Sequence, residues 1–200
     1  MPLSLDAAVA LAAFTFATSI TPGPNNLMLM ASGLNFGTRR SLPHLLGVGL
    51  GVMIMILLVG AGAARAFDLW PALDAILRTA CFAVVLWLAW KLWHAAPPGE
   101  SSTARGRPMR FMEAIGFQWV NPKAWVMVLT IVGVYAPDRT PATILAVACV
   151  FGLVNLPTVS AWMLAGTRLR RWLSAPVTVR RLNAVMAVLL VVSVLPGLLS

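Results

Sequence analysis

The sequence predicts an all-α polytopic membrane protein of six transmembrane helices. It predicts a 3+3 inverted repeat with an interrupted first helix in each half and both termini outside. Three observations carry that expectation. The 200 residues are 60% apolar and 10% charged, with mean hydropathy +0.85, whereas a soluble domain carries about 25% charge. Uncharged runs cover 7–38, 45–64, 140–167 and 182–200, and about 20 mostly apolar residues cross a bilayer as a helix. The cations alternate between loops. Arg39 and Arg40, then Lys91, Arg105, Arg107 and Arg110, then Arg168, Arg170, Arg171, Arg180 and Arg181 mark the first, third and fifth connections, against Arg65 and Arg139 in the other two. The positive-inside rule places the richer set in the cytoplasm.

The spans follow in order as 5–34, 43–64, 71–93, 111–135, 141–164 and 179–198. The first is long because "TPGPNN" interrupts it at 21–26. In the second, Gly47, Gly49, Gly51, Gly60 and Gly62 permit close helix packing. The third carries Asp74 and Arg78, four apart and able to pair on one helix face, and Lys91, whose stem lets its charge reach the interface. The fourth holds Glu113 and Lys123, with "QWVNPK" at 118–123. The fifth and sixth are free of internal charge from 141 to 164 and from 182 onward, with Asn183 near the cytoplasmic end of the sixth.

The whole chain, 1–200, reads as one membrane domain. Its halves, 1–93 and 111–200, are joined by a cytoplasmic link at 94–110 whose Pro, Gly and Ser content reads as flexible. Three crossings per half turn the second half over, the inverted arrangement of many secondary transporters. The loops are too short for a catalytic domain. The opening MPLSLD has no basic side chain before the apolar run, which argues against a cleaved signal peptide. Cys81 and Cys149 fall inside spans and read as apolar packing, and the net charge of +9 is explained by its placement in loops rather than by nucleic acid. No His, Cys, Asp or Glu cluster has metal-ligand spacing, no phosphate loop or nucleophile elbow is present, and no cofactor is implied. His44 reads as structural.

The interruptions are where chemistry is expected. Pro22 and Pro24 lack an N–H and clash with the preceding turn, so the first helix should stop near 19–21 and restart at Pro24 or Asn25. A helix broken at membrane depth exposes carbonyls from one half and N–H groups from the other. These must be satisfied by protein or line a polar cavity. The N-terminal end favours a carboxylate and the carbonyl end an ammonium, a pair suited to a zwitterion. The bland reading is a proline kink satisfied by neighbouring helices.

In the fourth span, Lys123 lies twelve residues from Phe111, about 18 Å along a helix and near the middle of the bilayer. Three readings stand for it: a hold on a substrate carboxylate, a pair with Glu113, or snorkelling to the interface. Gln118 and Asn121 complete a polar patch beside it. Asn155, central in the fifth span, either offers an amide to the same cavity or holds two helices together. Asp6 and Glu113 are the acidic residues best placed to respond to protons, although both lie near span ends.

The stretches "ITPGPNNLMLMASGLNFGTRRSL" at 20–42, "LAWKLW" at 88–93, "QWVNPKAW" at 118–125, "NLPTVSAWMLAG" at 155–166 and "VRRLNAVMAVLLVVSVLP" at 179–196 resemble the LysE/RhtB family of bacterial amino-acid exporters. The resemblance covers nearly the whole chain, and TPGPNN is its most specific block. It implies a multi-pass protein of the bacterial inner membrane, no enzyme, exporting amino acids or close derivatives by proton antiport. Its signature falls on Thr21, Pro22, Gly23, Pro24, Asn25 and Asn26, with the second-half counterpart on Gln118, Asn121 and Lys123. The spelling is most similar to the cysteine and O-acetylserine exporter branch. A neutral substrate also fits the residues, since a dibasic one needs a facing carboxylate and Lys123 would repel it. Export of basic amino acids or another small metabolite, and a membrane-embedded enzyme, are the alternatives. Lipid and protons complete the expected partners, with homo-oligomers open.

Overall fold

The computed structural model describes residues 3–70, 72–95, 106–172 and 176–195. Among them there is no strand. The helices are α1 (Leu5–Ile20), α2 (Pro24–Phe36), α3 (Thr38–Leu58), a short α4 (Arg65–Leu69), α5 (Ala72–Trp93), α6 (Phe111–Gln118), α7 (Pro122–Tyr135), α8 (Pro141–Trp172) and α9 (Pro176–Val192).

The first expected span is two helices bent by 58° at residues 21–23. Ser4 caps α1 by accepting the Ala7 N–H at 3.2 Å, and Asp6 lies in its first turn, each favourable to the positive helix end. Thr21 precedes a proline and is extended (φ −68°, ψ 143°), as the clash with the proline ring demands. Pro24 then opens α2, at the one helical position where a missing N–H costs nothing. The fourth span breaks by the same rule: Asn121, before Pro122, is extended, and Pro122 opens α7.

Several boundaries differ from the expected ones, and α9 covers Pro176–Val192 rather than 179–198. α3 begins at Thr38 rather than 43, because Pro43 sits inside its second turn, where the carbonyl it leaves free is close to the helix end. α8 runs to Trp172 rather than stopping at 164. No proline follows Pro157 before that point, and Gly166 packs instead of capping. α3 passes into a π-helical turn at Val59–Ala63 in which Gly62 takes φ 109°, a dihedral that a side chain disfavours.

Among the described residues the α3 segment, α5 and α8 are each long and apolar enough to cross a membrane alone. α1 with α2 is long and apolar enough only when the bent pair is taken together, as a broken span or a re-entrant loop. α7 has 14 residues and α9 has 17. The outer surface carries large apolar side chains, among them Val9, Phe16, Ile76, Val126 and Leu153, which is the surface a hydrocarbon solvent requires and water penalises.

α8 is the central element, packed along α2, α3 and α1, while α6 packs on α3 and α5 on α9. The main core gathers Met55, Ile56, Val128, Ile131, Val147 and Phe151 between α3, α7 and α8. Glycines set the closest approaches. A Cβ on Gly47 would stand 2.4 Å from the Phe111 carbonyl oxygen, and one on Gly60 2.8 Å from Ile144.

α2 is tied to α9 by a reciprocal amide pair. Asn35 Nδ2 donates to Asn183 Oδ1 at 3.0 Å, and Asn183 Nδ2 returns a bond to Asn35 Oδ1 at 3.1 Å. Polar contacts between membrane helices couple by about 0.6 kcal/mol on average and at most about 1.7. A double-mutant cycle of Asn35→Ala and Asn183→Ala, read by thermal unfolding in detergent, should return a coupling in that range. Strict additivity would mean the pair contributes nothing.

Candidate functional site at the two helix breaks

The break between α1 and α2 leaves the last carbonyls of α1 without helical partners. Side chains supply them. Asn26 Nδ2 donates to the carbonyls of Ser19 and Thr21, both at 2.7 Å. Thr21 Oγ1 donates to the Thr18 carbonyl at 2.8 Å. Lys123 reaches over from the second half. Its Nζ donates to the Thr21 carbonyl and Thr21 Oγ1 at 2.8 Å each, and to the Pro22 carbonyl at 3.3 Å. Three hydrogens meet three oxygens, the full capacity of an ammonium.

Gly23 makes that reach possible. A Cβ there would lie 2.7 Å from Lys123 Cδ and 3.1 Å from its Nζ. The glycine between two prolines is thus a seat for the lysine stem. Its own backbone is extended, at φ −178°.

The second bridge joins the breaks through amides. Asn25 Nδ2 donates to Gln118 Oε1 at 2.8 Å, and Gln118 Nε2 returns to Asn25 Oδ1 at 3.1 Å while also bonding the Ala114 carbonyl at 2.9 Å. Gln118 is fully buried. The two interrupted helices, 93 positions apart in sequence, therefore face each other at their interruptions.

Between them lies a cavity of about 20 Å³, lined by Thr18, Ser19, Asn25, Asn26, Asn121, Lys123 and Asn155 among others. That is room for about one water molecule. Asn155 Nδ2 donates to Ser19 Oγ at 2.8 Å, which performs the helix-joining role, yet its Oδ1 has no partner, nor has Asn121 Oδ1. Both side chains are buried, at 3% and 1% exposure. An orphaned buried acceptor costs about 1–3 kcal/mol, so the pair marks a site prepared for a donor. α2 and α7 both start here with no side-chain cap, so two positive helix ends open on the same place. Carbonyls and orphaned amide oxygens for an ammonium, and helix N-termini for a carboxylate, form the complement of a zwitterion.

All ten expected binding residues, Thr21 to Asn26, Gln118, Asn121, Lys123 and Asn155, come together here. Asp6 and Glu113 do not. Asp6 is exposed in the first turn of α1. Glu113 binds the Arg107 guanidinium through both carboxylate oxygens, one contact at 2.7 Å, and accepts the Arg110 N–H at 2.8 Å. The Glu113–Lys123 pair is therefore not formed. Arg107 competes for the carboxylate from the adjacent loop, and Lys123 sits beyond the break on a different helix.

Thr18 and Ser19 line the site without having been expected there. Two consecutive hydroxyls one turn before TPGPNN were the available signal. A larger cavity, about 750 Å³, opens between α2, α5 and α6. Arg40, Lys91, Arg107 and Arg170 line it together with His44 and Glu113, as do Phe117, next to Gln118, and Val120, next to Asn121. His44 is buried with neither ring nitrogen partnered. Cys81 is buried and Cys149 exposed, both unpaired.

Residues 16–194 match the family model described as LysE type translocator. The chain is 31% identical over 180 residues to the "Cysteine/O-acetylserine efflux protein" of Salmonella typhimurium strain LT2, an alignment covering 89% of this chain and 90% of that one. It is 30% identical, with the same coverage, to the protein of that name in Escherichia coli strain K12. No solved structure matches the chain.

Proposed function

The chain belongs to the LysE type translocator family, and from that premise we propose that it exports small neutral amino acids by proton antiport. As a family member it is a transporter rather than an enzyme, and a bacterial inner-membrane protein. Its relatives' name directs the substrate reading to cysteine, O-acetylserine and molecules of that size. The observation that carries the proposal is the convergence of both helix breaks on one polar cavity, with ammonium-binding carbonyls and carboxylate-binding helix ends side by side. Among the described residues no carboxylate lines that cavity, so a second positive charge on the substrate would go uncompensated beside Lys123. That favours neutral over basic amino acids.

The six-crossing, inverted-repeat architecture belongs to the same reading. Each broken helix then supplies one wall of the site, as in transporters whose substrate sits at a repeat interface. With the arginine-rich loops inside, the 750 Å³ cavity is the cytoplasmic vestibule. The Asn25–Gln118 pair then stands between it and the site. The 20 Å³ of space left there fits a closed state from which helices part to admit substrate.

Cells loaded with a labelled panel of amino acids test this. Expression should produce saturable efflux of a small neutral amino acid that stops when the proton gradient is collapsed. Efflux confined to lysine or arginine would overturn the neutral-substrate reading, and efflux indifferent to the gradient would overturn antiport.

A further inference from the structure

We propose that Lys123 is a tethered stand-in for the substrate's ammonium group and the residue that carries the exchanged proton. The inference rests on the exporter reading and goes beyond it, because that reading gives the coupling step no residue. Lys123 Nζ occupies the oxygens of Thr21 and Pro22, the carbonyl end of the broken helix where a zwitterion's ammonium belongs. Gly23 is cut away to admit its stem. The groups facing it from α1, α2, α7 and α8 are Thr18, Ser19, Asn25, Asn26, Asn121 and Asn155. None of them titrates, so among the described residues no carboxylate holds the lysine in its charged form.

Two ammonium groups cannot share three oxygens. Asn26 reaches the Ser19 and Thr21 carbonyls. It is therefore the Pro22 carbonyl and Thr21 Oγ1 that either the lysine or the substrate must cover, and leaving them empty at membrane depth costs their desolvation. This exclusion is itself a coupling rule. Facing the cytoplasm, Lys123 releases its proton to water and withdraws, and the substrate ammonium takes the carbonyls. The loaded carrier, with a neutral lysine, turns outward and releases the zwitterion. Lys123 then takes a proton from the outside and returns to Thr21 and Pro22. The empty, protonated carrier turns inward. One amino acid leaves and one proton enters per cycle, and no covalent bond changes.

Purified protein in liposomes, with an internal pH dye, separates this from the alternatives. Native protein should show both exchange of labelled for unlabelled neutral amino acid and net efflux with proton uptake. In Lys123→Met, net efflux should fall at least tenfold further than exchange does, and substrate-linked proton uptake should disappear. Lys123→Arg should fold, yet lose exchange, because a permanent cation never vacates the carbonyls. A lysine that merely grips the substrate carboxylate predicts the reverse: exchange lost in Lys123→Met and retained in Lys123→Arg. Either of those results overturns the proposal, and the arginine variant decides alone should the methionine variant not reach the membrane. Native liposomes that exchange none of the panel would instead overturn the exporter reading beneath it.

Discussion

Gly33→Leu in α2 and Gly166→Leu in α8 are each expected to remove nearly all folded protein from the membrane. The two glycines face one another's helices. A Cβ on Gly33 would stand 2.0 Å from the Met163 carbonyl oxygen, and one on Gly166 2.0 Å from that of Met30. In both cases the obstacle is backbone, which cannot rotate away. α2 and α8 would have to separate along their contact, and α8 also holds α1 and α3. Overpacking typically costs about 1–3 kcal/mol where side chains can yield, and the cost here should reach or exceed the upper end. Even Gly→Ala should lower the unfolding temperature in detergent. Gly116→Ala and Gly133→Ala, with nothing within 4 Å of the new Cβ, should leave it unchanged or slightly raised. Equal behaviour of all four alanine variants would refute the close α2–α8 crossing.

Asn26→Leu is expected to be the most damaging single change at the helix break. Its amide is the group that closes the end of α1, with both hydrogens used on the Ser19 and Thr21 carbonyls at 2.7 Å. Leucine matches its bulk but strands the Ser19 carbonyl and leaves Thr21 to Lys123 alone. With about 1–3 kcal/mol for the stranded Ser19 carbonyl and about 1 kcal/mol for the bond lost at Thr21, the loss is about 2–4 kcal/mol of stability, and transport should vanish with it. Asn26→Asp should fare no better, since a carboxylate presents acceptors to carbonyls. Thermal unfolding beside efflux checks this. Wild-type stability in Asn26→Leu would mean that the break is held from elsewhere.

The breaks were legible because proline acts locally. Pro22, Pro24 and Pro122 remove a helical donor whatever surrounds them, which marks 21–23 and 119–121 as places for a break, although Pro157 loses the same donor inside α8 without ending it. What faces what was not legible. That Asn25 meets Gln118, or that Lys123 crosses to Thr21, depends on how two distant helices are placed, and no local pattern encodes it. The glycines show the same limit. The run at Gly47, Gly49 and Gly51 announces itself by spacing, whereas Gly33 and Gly166 make the tightest contacts as isolated residues. Glu113 reads from the sequence as an acid open to protons, and its ion pair with Arg107, six residues earlier in a loop, is invisible there.

The most direct test of the central claim is equilibrium binding to purified protein. The probe is the labelled neutral amino acid that gives the strongest efflux, and the comparison is native protein against Asn25→Ala, Gln118→Ala and Asn183→Ala. A hydrogen bond to a charged group is worth about 1.5–3 kcal/mol, and about 1.4 kcal/mol is tenfold in affinity. If the two helix breaks form the substrate site, Asn25→Ala and Gln118→Ala bind about 10–100-fold more weakly while Asn183→Ala binds as the native protein does. Native affinity in folded Asn25→Ala and Gln118→Ala would show that the breaks are architecture and that the substrate binds elsewhere.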